Sequence, residues 1–496
     1  MIVTGQIRKG AYFDSVTLMR VGKEITGLPG VIDAAVVMGT KSNKAILNSS
    51  GLLTVKFIDA SDTDLLVAVK AETETAAKDA MAAVDGLLKN TAKTASSESH
   101  PKSLRGALEV LPDANLALIS IAGRYAGDEA MRALESGLHV MLFSDNVPLE
   151  KEIALKKFAA KRGLLVMGPD CGTAIINGVP LAFANAVNRG NIGIVAAAGT
   201  GLQEVSCIIS NAGAGISRAI GTGGRDVKKE VGGIMFIEAL KALAKDEQTK
   251  VILLVSKPPH PAVLKRITKV LKTIRKPVVT MFIGASPTTL EEAALAAVAL
   301  SRGKKPADLV AREAEIQRLA KREAGKRKKH QKYVRGLFSG GTFCAEAQIL
   351  FGKMLTGVYS NAPTGKAQQL KNSLKSQKNT IIDLGEDEFT VGRPHPMIDF
   401  SLRNKRILEE AADPETAVIL LDVVLGYGSN PDPAAELTGV IRQARRTVSV
   451  VCSITGTDKD PQNRSHVEVA LRKAGAIVMP SNAAACKLAG GIIQCL

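Results

Sequence analysis

The sequence predicts an α/β protein made of several parallel sheets, and three observations predict it. Short apolar runs alternate with helical stretches along most of the chain, the pattern of strands joined by crossover helices. Two apolar runs end in glycine turns that open directly into helices, at Gly199-Thr200-Gly201 and at Gly340-Gly341-Thr342. The segments that follow those turns repeat each other in order and spacing, the signature of an internal duplication.

Residues 1–90 read as a small α/β unit, ferredoxin-like in element order. Strands are expected at Gln6–Arg8, Val31–Met38 and Leu65–Val69. Helices are expected at Ser15–Thr26, at Lys41–Asn48 and up to about Lys89. Thr91–Pro101 is small and polar and reads as a linker. Residues 103–188 place strands at Leu116–Ile121, Val140–Phe143 and Leu164–Met167, each ending in a loop of Gly, Asp or Pro. That is a Rossmann-like domain, here taken as the CoA-binding-type unit, with its ligand edge at the carboxyl ends of the strands.

Residues 191–303 and 333–496 read as one flavodoxin-like fold used twice, with residues 304–332 as a basic linker helix. Ile216–Gly221 matches Thr380–Gly385, Val251–Val255 matches Ala417–Leu421, and Pro277–Gly284 matches Val448–Gly456. Lys353–Lys378 is an insertion in the second half.

A chain of 496 residues is too long for one core. No apolar run approaches the roughly 18 residues of a membrane helix. The first residues lack the apolar centre of a signal peptide, so a cytoplasmic location is the expectation. The six cysteines show no zinc spacing, and no metal is expected. Net charge is +17, much of it in Lys321–Arg335, yet aromatic residues are 3% and Trp is absent. Base-stacking surfaces are therefore not expected, and the excess charge fits small anionic metabolites better than nucleic acid.

A glycine loop at a helix N-terminus leaves backbone N–H groups pointing outward and so makes an anion site. Gly199, Thr200, Gly201, Gly340, Gly341 and Thr342 are the phosphate-binding candidates. The edge of the Rossmann-like unit adds Arg124, Asp145, Asn146, Pro169, Asp170 and Cys171 as cofactor-side candidates. Arg393 and His395 flank a proline at the end of a strand, where Arg can grip phosphate and His can donate to a carbonyl; His395 can equally cap the helix near Met397. Asp458, Asp460 and Arg464 follow the strand that ends near Ile454. They can orient a substrate nitrogen or simply make turn hydrogen bonds.

Gly168-Pro-Asp-Cys171, the Gly199 turn and the duplicated halves resemble the succinyl-CoA synthetase alpha subunit and the acyl-CoA synthetases that form a nucleoside diphosphate. Over nearly its whole length the chain is similar to the FdrA family. Gly392–Asp399, Leu421–Gly428 and Thr455–Gln462 are the most specific stretches, and they add Gly426 and Gly428 to the substrate-binding candidates.

The resemblance implies two helix N-termini meeting at one phosphate, with CoA or a nucleotide as candidate cofactor. It also implies an oligomer or a complex with other subunits. Three departures stand out. Where the synthetases carry the phosphorylated histidine, this chain has Ala285–Glu292, without one. Where they carry a supporting glutamate, it has Ser256-Lys257-Pro258-Pro259. The first unit has no glycine-rich CoA loop. A phosphohistidine relay is thus not expected, whereas a carbamoyl or other acyl phosphate arrives already activated and needs only positioning and charge stabilisation.

Some FdrA-type proteins are linked to carbamoyl transfer involving oxamate in ureide breakdown. The resemblance therefore implies a carbamoyl- or acyl-phosphate transferase subunit, with Arg393, His395 and Asp458 as catalytic candidates. An acyl-CoA ligase and a non-catalytic metabolite-binding scaffold stay open beside it.

Overall fold

The computed structural model describes residues 1–11, 13, 15–92, 101, 103–305, 310–390 and 394–496. They form two compact units: Met1–Asp113 with Glu386–Asp399, and Ala114–Gly385 with Phe400–Leu496. Most of the expected Thr91–Pro101 linker lies outside the described residues.

The smaller unit runs β1 (Ile2–Arg8), α1 (Ser15–Thr26), β2 (Val31–Met38), α2 (Lys41–Ser49), β3 (Leu65–Ala71), α3 (Glu74–Ala92) and α4 (Leu104–Val110). The sheet order is β1-β3-β2, and both pairings are antiparallel. The central strand explains the unit. Leu65, Val67 and Val69 join Leu18, Val21, Ile25 and Val84 in one cluster. Leu66 and Ala68 join Leu47, Leu52 and Phe57 in another. Successive side chains point to opposite faces, so one strand fills two cores.

The larger unit opens with β4 (Leu116–Ile119), α5 (Gly123–Glu135), β5 (His139–Leu142), α6 (Leu149–Lys161) and β6 (Val166–Met167), a parallel sheet in that order. The sequence pattern starts α5 at Asp128, but the helix begins at Gly123. A Cβ on Gly123 would lie 2.0 Å from the Asp145 carbonyl oxygen. Close packing of this first turn outweighs the low helix propensity of its glycines.

The sequence reading keeps Thr173–Ala182 in this unit. The structure instead makes it a hairpin, β7 (Thr173–Ile176) and β8 (Val179–Ala182), whose β7 pairs antiparallel with a strand of the next sheet. Asn177 and Gly178 turn the hairpin with φ of 54° and 81°. An Asn-Gly pair between short apolar segments is a direct hairpin signal.

The first lobe follows as β9 (Arg189–Ala197), α7 (Gly199–Asn211), β10 (Ile216–Gly221), α8 (Ile234–Lys245), β11 (Val251–Ser256), α9 (Pro261–Leu271), β12 (Val278–Phe282) and α10 (Leu290–Ser301). Its sheet order is β12-β11-β9-β10-β7-β8. Helix α11 (Val310–Ala324) leads to the second lobe.

That lobe runs β13 (Tyr333–Phe338), α12 (Gly341–Met354), β14 (Val358–Ser360), β15 (Gln368–Gln369) and β16 (Asn379–Asp383), and after α13 (Asp387–Thr390), which belongs to the smaller unit, it continues as α14 (Ser401–Ala412), β17 (Thr416–Val424), α15 (Pro433–Ala444), β18 (Ser449–Thr455), α16 (Arg464–Ala474), β19 (Ile477–Met479) and α17 (Asn482–Gln494). Its order is β15-β14-β16-β13-β17-β18-β19. Each lobe thus centres on the same parallel core, β10-β9-β11-β12 and β16-β13-β17-β18, the flavodoxin order of second, first, third and fourth strand. The insertion supplies β14 and β15, at the edge where the first lobe has its hairpin.

Candidate functional site

Helices α7 and α12 start directly after β9 and β13, the first strand of each lobe, where the strand order reverses. In such sheets the crevice at that point holds the ligand. Neither helix has a side-chain cap at Ala198 or Gly340, so first-turn N–H groups remain without intrahelical acceptors.

The two N-termini meet. The Thr342 N–H donates to the Thr200 hydroxyl at 3.4 Å. A Cβ on Gly201 would lie 2.9 Å from Thr342 Cγ2, and one on Gly340 would lie 2.9 Å from Thr200 Cγ2 and 2.7 Å from Phe343 Cδ2. Glycine is needed at both positions because the helices touch there. Gly199 is different, since its nearest neighbour to a Cβ is Thr173 Oγ1 at 3.9 Å.

Charge surrounds the junction. A Cβ on Gly341 would be 2.6 Å from Asp383 Oδ2 and 3.8 Å from Lys257 Nζ. Asp383 is buried and ends β16, while the exposed Lys257 follows β11. The second loop is already occupied in places. The Ser339 N–H and hydroxyl and the Gly340 N–H all donate to the buried Asp422 carboxylate, at 2.8, 2.8 and 2.9 Å. Behind it the fully buried Arg403 donates to the Asp422 carbonyl at 2.7 Å. Burial pulls the Arg403 guanidinium below its usual range. The Gly340 amide therefore holds an internal carboxylate, and the Thr342 amide is taken by the Thr200 hydroxyl.

The other candidates are placed as follows. Gly426 has φ of 108° and accepts and donates through its backbone to Gln462. A Cβ there would lie 2.6 Å from the Ala184 carbonyl oxygen, and one on Gly428 would lie 2.6 Å from Phe183 Cδ1. Both glycines let this loop pack on the Phe183–Asn185 segment. Asp458 accepts from the Ser465 N–H and hydroxyl at 2.7 and 2.9 Å, and these bonds hold its carboxyl below the usual range. Asp460 accepts from Asn185, Ala186 and Thr457, with burial raising its pKa. Arg464 pairs with Glu468 at 3.0 Å.

Arg124, Asp145, Asn146 and Asp170 are exposed, and Pro169 is buried in a cis peptide after Gly168. The Cys171 thiol is buried against the Thr173 and Gly221 carbonyls, and burial pushes its pKa up to about 12. His395 belongs to the smaller unit, where its Nδ1 accepts from the Met397 N–H at 3.2 Å. Arg393 lies outside the described residues. The site is accordingly drawn from the larger unit alone.

Of the six cysteines only Cys495 is exposed. Native protein should therefore react with a thiol reagent at a single fast site near neutral pH, counted by intact-mass spectrometry. Rapid labelling of Cys171 or Cys344 would contradict the packing described.

Sequence reasoning missed Asp383, Asp422 and Lys257 as neighbours of the glycine turns. The available signal was a charged residue closing an apolar strand, as in Ile381-Ile-Asp383 and Leu420-Leu-Asp422. Such a residue lands on the ligand edge of a parallel sheet.

Residues 337–492 match the CoA-ligase family, residues 187–284 match the CoA binding domain, and residues 1–103 match the family described as AllF, heavy metal-associated domain. The chain is 41% identical to YahF of Escherichia coli (strain K12), described as uncharacterized, over 96% of each chain. It is 28% identical to the succinate–CoA ligase [ADP-forming] subunit alpha 1 of Archaeoglobus fulgidus, over 35% of this chain and 59% of that one. Among solved structures, a dinucleotide-forming acetyl-coenzyme A synthetase 1 of Ca. Korarchaeum cryptofilum, in complex with phosphate and ADP, is 14% identical. It covers 77% of this chain and 82% of its own, with a TM-score of 0.30. Among the described residues no helix is long and apolar enough to cross a membrane, and no group of three or more His, Cys, Asp or Glu is placed to hold a metal ion.

Proposed function

Because the chain belongs to the FdrA family of succinyl-CoA-synthetase-like proteins and carries CoA-binding and CoA-ligase domains, we propose that it is an acyl-transfer enzyme of CoA-ligase type that works on an acyl phosphate without a phosphohistidine. The phosphoryl group sits where α7 and α12 meet. The observation that carries this reading is the Thr342 N–H to Thr200 hydroxyl contact, which brings the N-termini of both lobes to one place.

The chemistry asks little of the protein. An acceptor nucleophile attacks the acyl carbon, the bond to the phosphate oxygen breaks, and inorganic phosphate leaves. With CoA the new bond is a thioester, and the thiol proton passes to solvent. First-turn amides and Lys257 stabilise the negative charge that grows on the departing oxygen. Lys257 supports this reading as an exposed cation beside Gly341.

The test is incubation with acetyl phosphate and CoA, and separately with carbamoyl phosphate and oxamate, following acceptor-dependent phosphate release. Release with CoA selects the ligase chemistry, and release with oxamate selects carbamoyl transfer. In neither case should acid-labile phosphate stay on the protein. No release in either arm, or a phosphorylated histidine, would overturn the proposal.

A further inference from the structure

Below the junction the two lobes exchange helix caps. Glu204 lies on α7 five residues after Gly199, and Glu346 lies on α12 five residues after Gly341. They occupy equivalent positions in the duplicated helices, and both are buried. Each caps a helix of the opposite lobe. The Asn482 N–H at the start of α17 donates to Glu204 Oε1 at 3.0 Å. The Leu290 N–H at the start of α10 donates to Glu346 Oε1 at 2.8 Å. The Asn482 side-chain amide also donates to Glu346 Oε2 at 2.8 Å, so one residue touches both carboxylates.

We propose that Glu204 and Glu346 are positioning residues, forming a proton-dependent clasp that holds the N-termini of α7 and α12 at their working separation. This rests on the acyl-phosphate reading of the junction.

The surroundings favour a proton here. Glu291 of α10 is buried nearby and takes the Ser481 hydroxyl at 2.8 Å and the Arg312 guanidinium of α11. Arg464 of α16 lies within electrostatic reach of Glu204. Cys207 of α7, Cys344 of α12 and Cys486 of α17 are buried thiols, each raised mainly by burial, and so stay neutral. Glu204 also accepts from the Thr455 hydroxyl. Three buried carboxylates thus face two arginines that are both already paired, Arg312 with Glu291 and Arg464 with Glu468. Burial raises the Glu346 pKa to about 7 and also raises that of Glu204. Like charges in one buried site cannot all ionise cheaply.

The sign follows from linkage. A carboxyl whose folded pKa is raised contributes stability in full below its ordinary value near 4.5, and that contribution is lost as pH rises through about 7. Above that range the ionised Glu346 pushes against Glu204 and Glu291, and the clasp loosens.

The test compares wild type with Glu346→Gln and Glu204→Gln in the full chain, by thermal melts and acetyl phosphate calorimetry from pH 5 to 8.5. Gln keeps the shape of the neutral acid. We expect Glu346→Gln to match wild type near pH 5 and to melt several degrees higher at pH 8.5. Acetyl phosphate affinity should fall at least threefold with rising pH in wild type and stay flat in the variant. A melting difference independent of pH in both variants would overturn the clasp. If the difference follows pH while acetyl phosphate binds neither protein at any pH, the clasp stands and the acyl-phosphate reading falls.

Discussion

Gly340→Val is expected to reduce acyl-phosphate binding by at least tenfold while the unit still folds. The backbone at Gly340 has φ of −106° and ψ of 114°, a region that valine adopts readily. The penalty therefore comes from contact and not from the main chain. A Cβ at 340 meets Phe343 at 2.7 Å and Thr200 at 2.9 Å, both closer than carbon atoms approach. Two further methyl groups must push Thr200 away from the Thr342 amide. Overpacking of this kind costs about 1–3 kcal/mol, a tolerable share of a unit with extensive cores but enough to separate the ends of α7 and α12. Gly199→Ala is the matched control. Its Cβ meets nothing closer than 3.9 Å, so affinity should stay within about twofold, and alanine's better helix propensity leaves stability equal or higher. Equal loss in both variants would mean that the glycines serve the turns and not the junction.

Lys156→Met is expected to destabilise the fold by about 3–5 kcal/mol. Lys156 on α6 is fully buried. Its ammonium group donates to Glu152 Oε1 and Asp226 Oδ1, both at 2.8 Å, and to the Thr222 carbonyl at 3.0 Å. Asp226 in turn accepts from the Phe236 N–H at 2.7 Å, at the start of α8. The lysine thus ties the β4–β6 sheet layer to the first lobe. Methionine fills a similar volume but leaves Asp226 buried without its cation and Glu152 with only the partly exposed Arg225, 2.8 Å from its Oε2. Chemical denaturation of wild type and variant measures the difference. Neutralising Glu152 and Asp226 as well should recover much of the loss, because paired removal avoids the stranded charge. A loss below about 1 kcal/mol in the single variant would show that this cluster is more hydrated than its burial indicates.

The duplication was legible because the same order of apolar run, glycine turn and helix occurs twice. The strand orders β10-β9-β11-β12 and β16-β13-β17-β18 follow from that pattern. The hairpin at Asn177-Gly178 carried a local signal, but its pairing with β10 is a long-range choice that local pattern does not encode. The start of α5 was hidden because Gly123 and Gly127 read as loop residues, whereas in the fold Gly123 packs against Asp145 and Gly127 against Lys151.

At the site, Thr200 and Thr342 could be singled out from their turns. That Asp422 fills the amides of Ser339 and Gly340 could not, since strand register decides which side chain reaches a loop. The reciprocal caps of Glu204 and Glu346 were invisible for a similar reason. Within its own helix each is an ordinary polar residue, and its partner lies in the other lobe.

In the proposed chemistry one phosphoryl group is held by both lobes at once. Calorimetric titration of acetyl phosphate into wild type and into Thr200→Val and Thr342→Pro variants, one change per lobe, measures this, because proline removes the Thr342 amide and is tolerated in a first helical turn. Saturable one-to-one binding in wild type, weakened at least fivefold by a change on either side, is the expected result. Undiminished affinity in both variants, or two independent sites per chain, would contradict it.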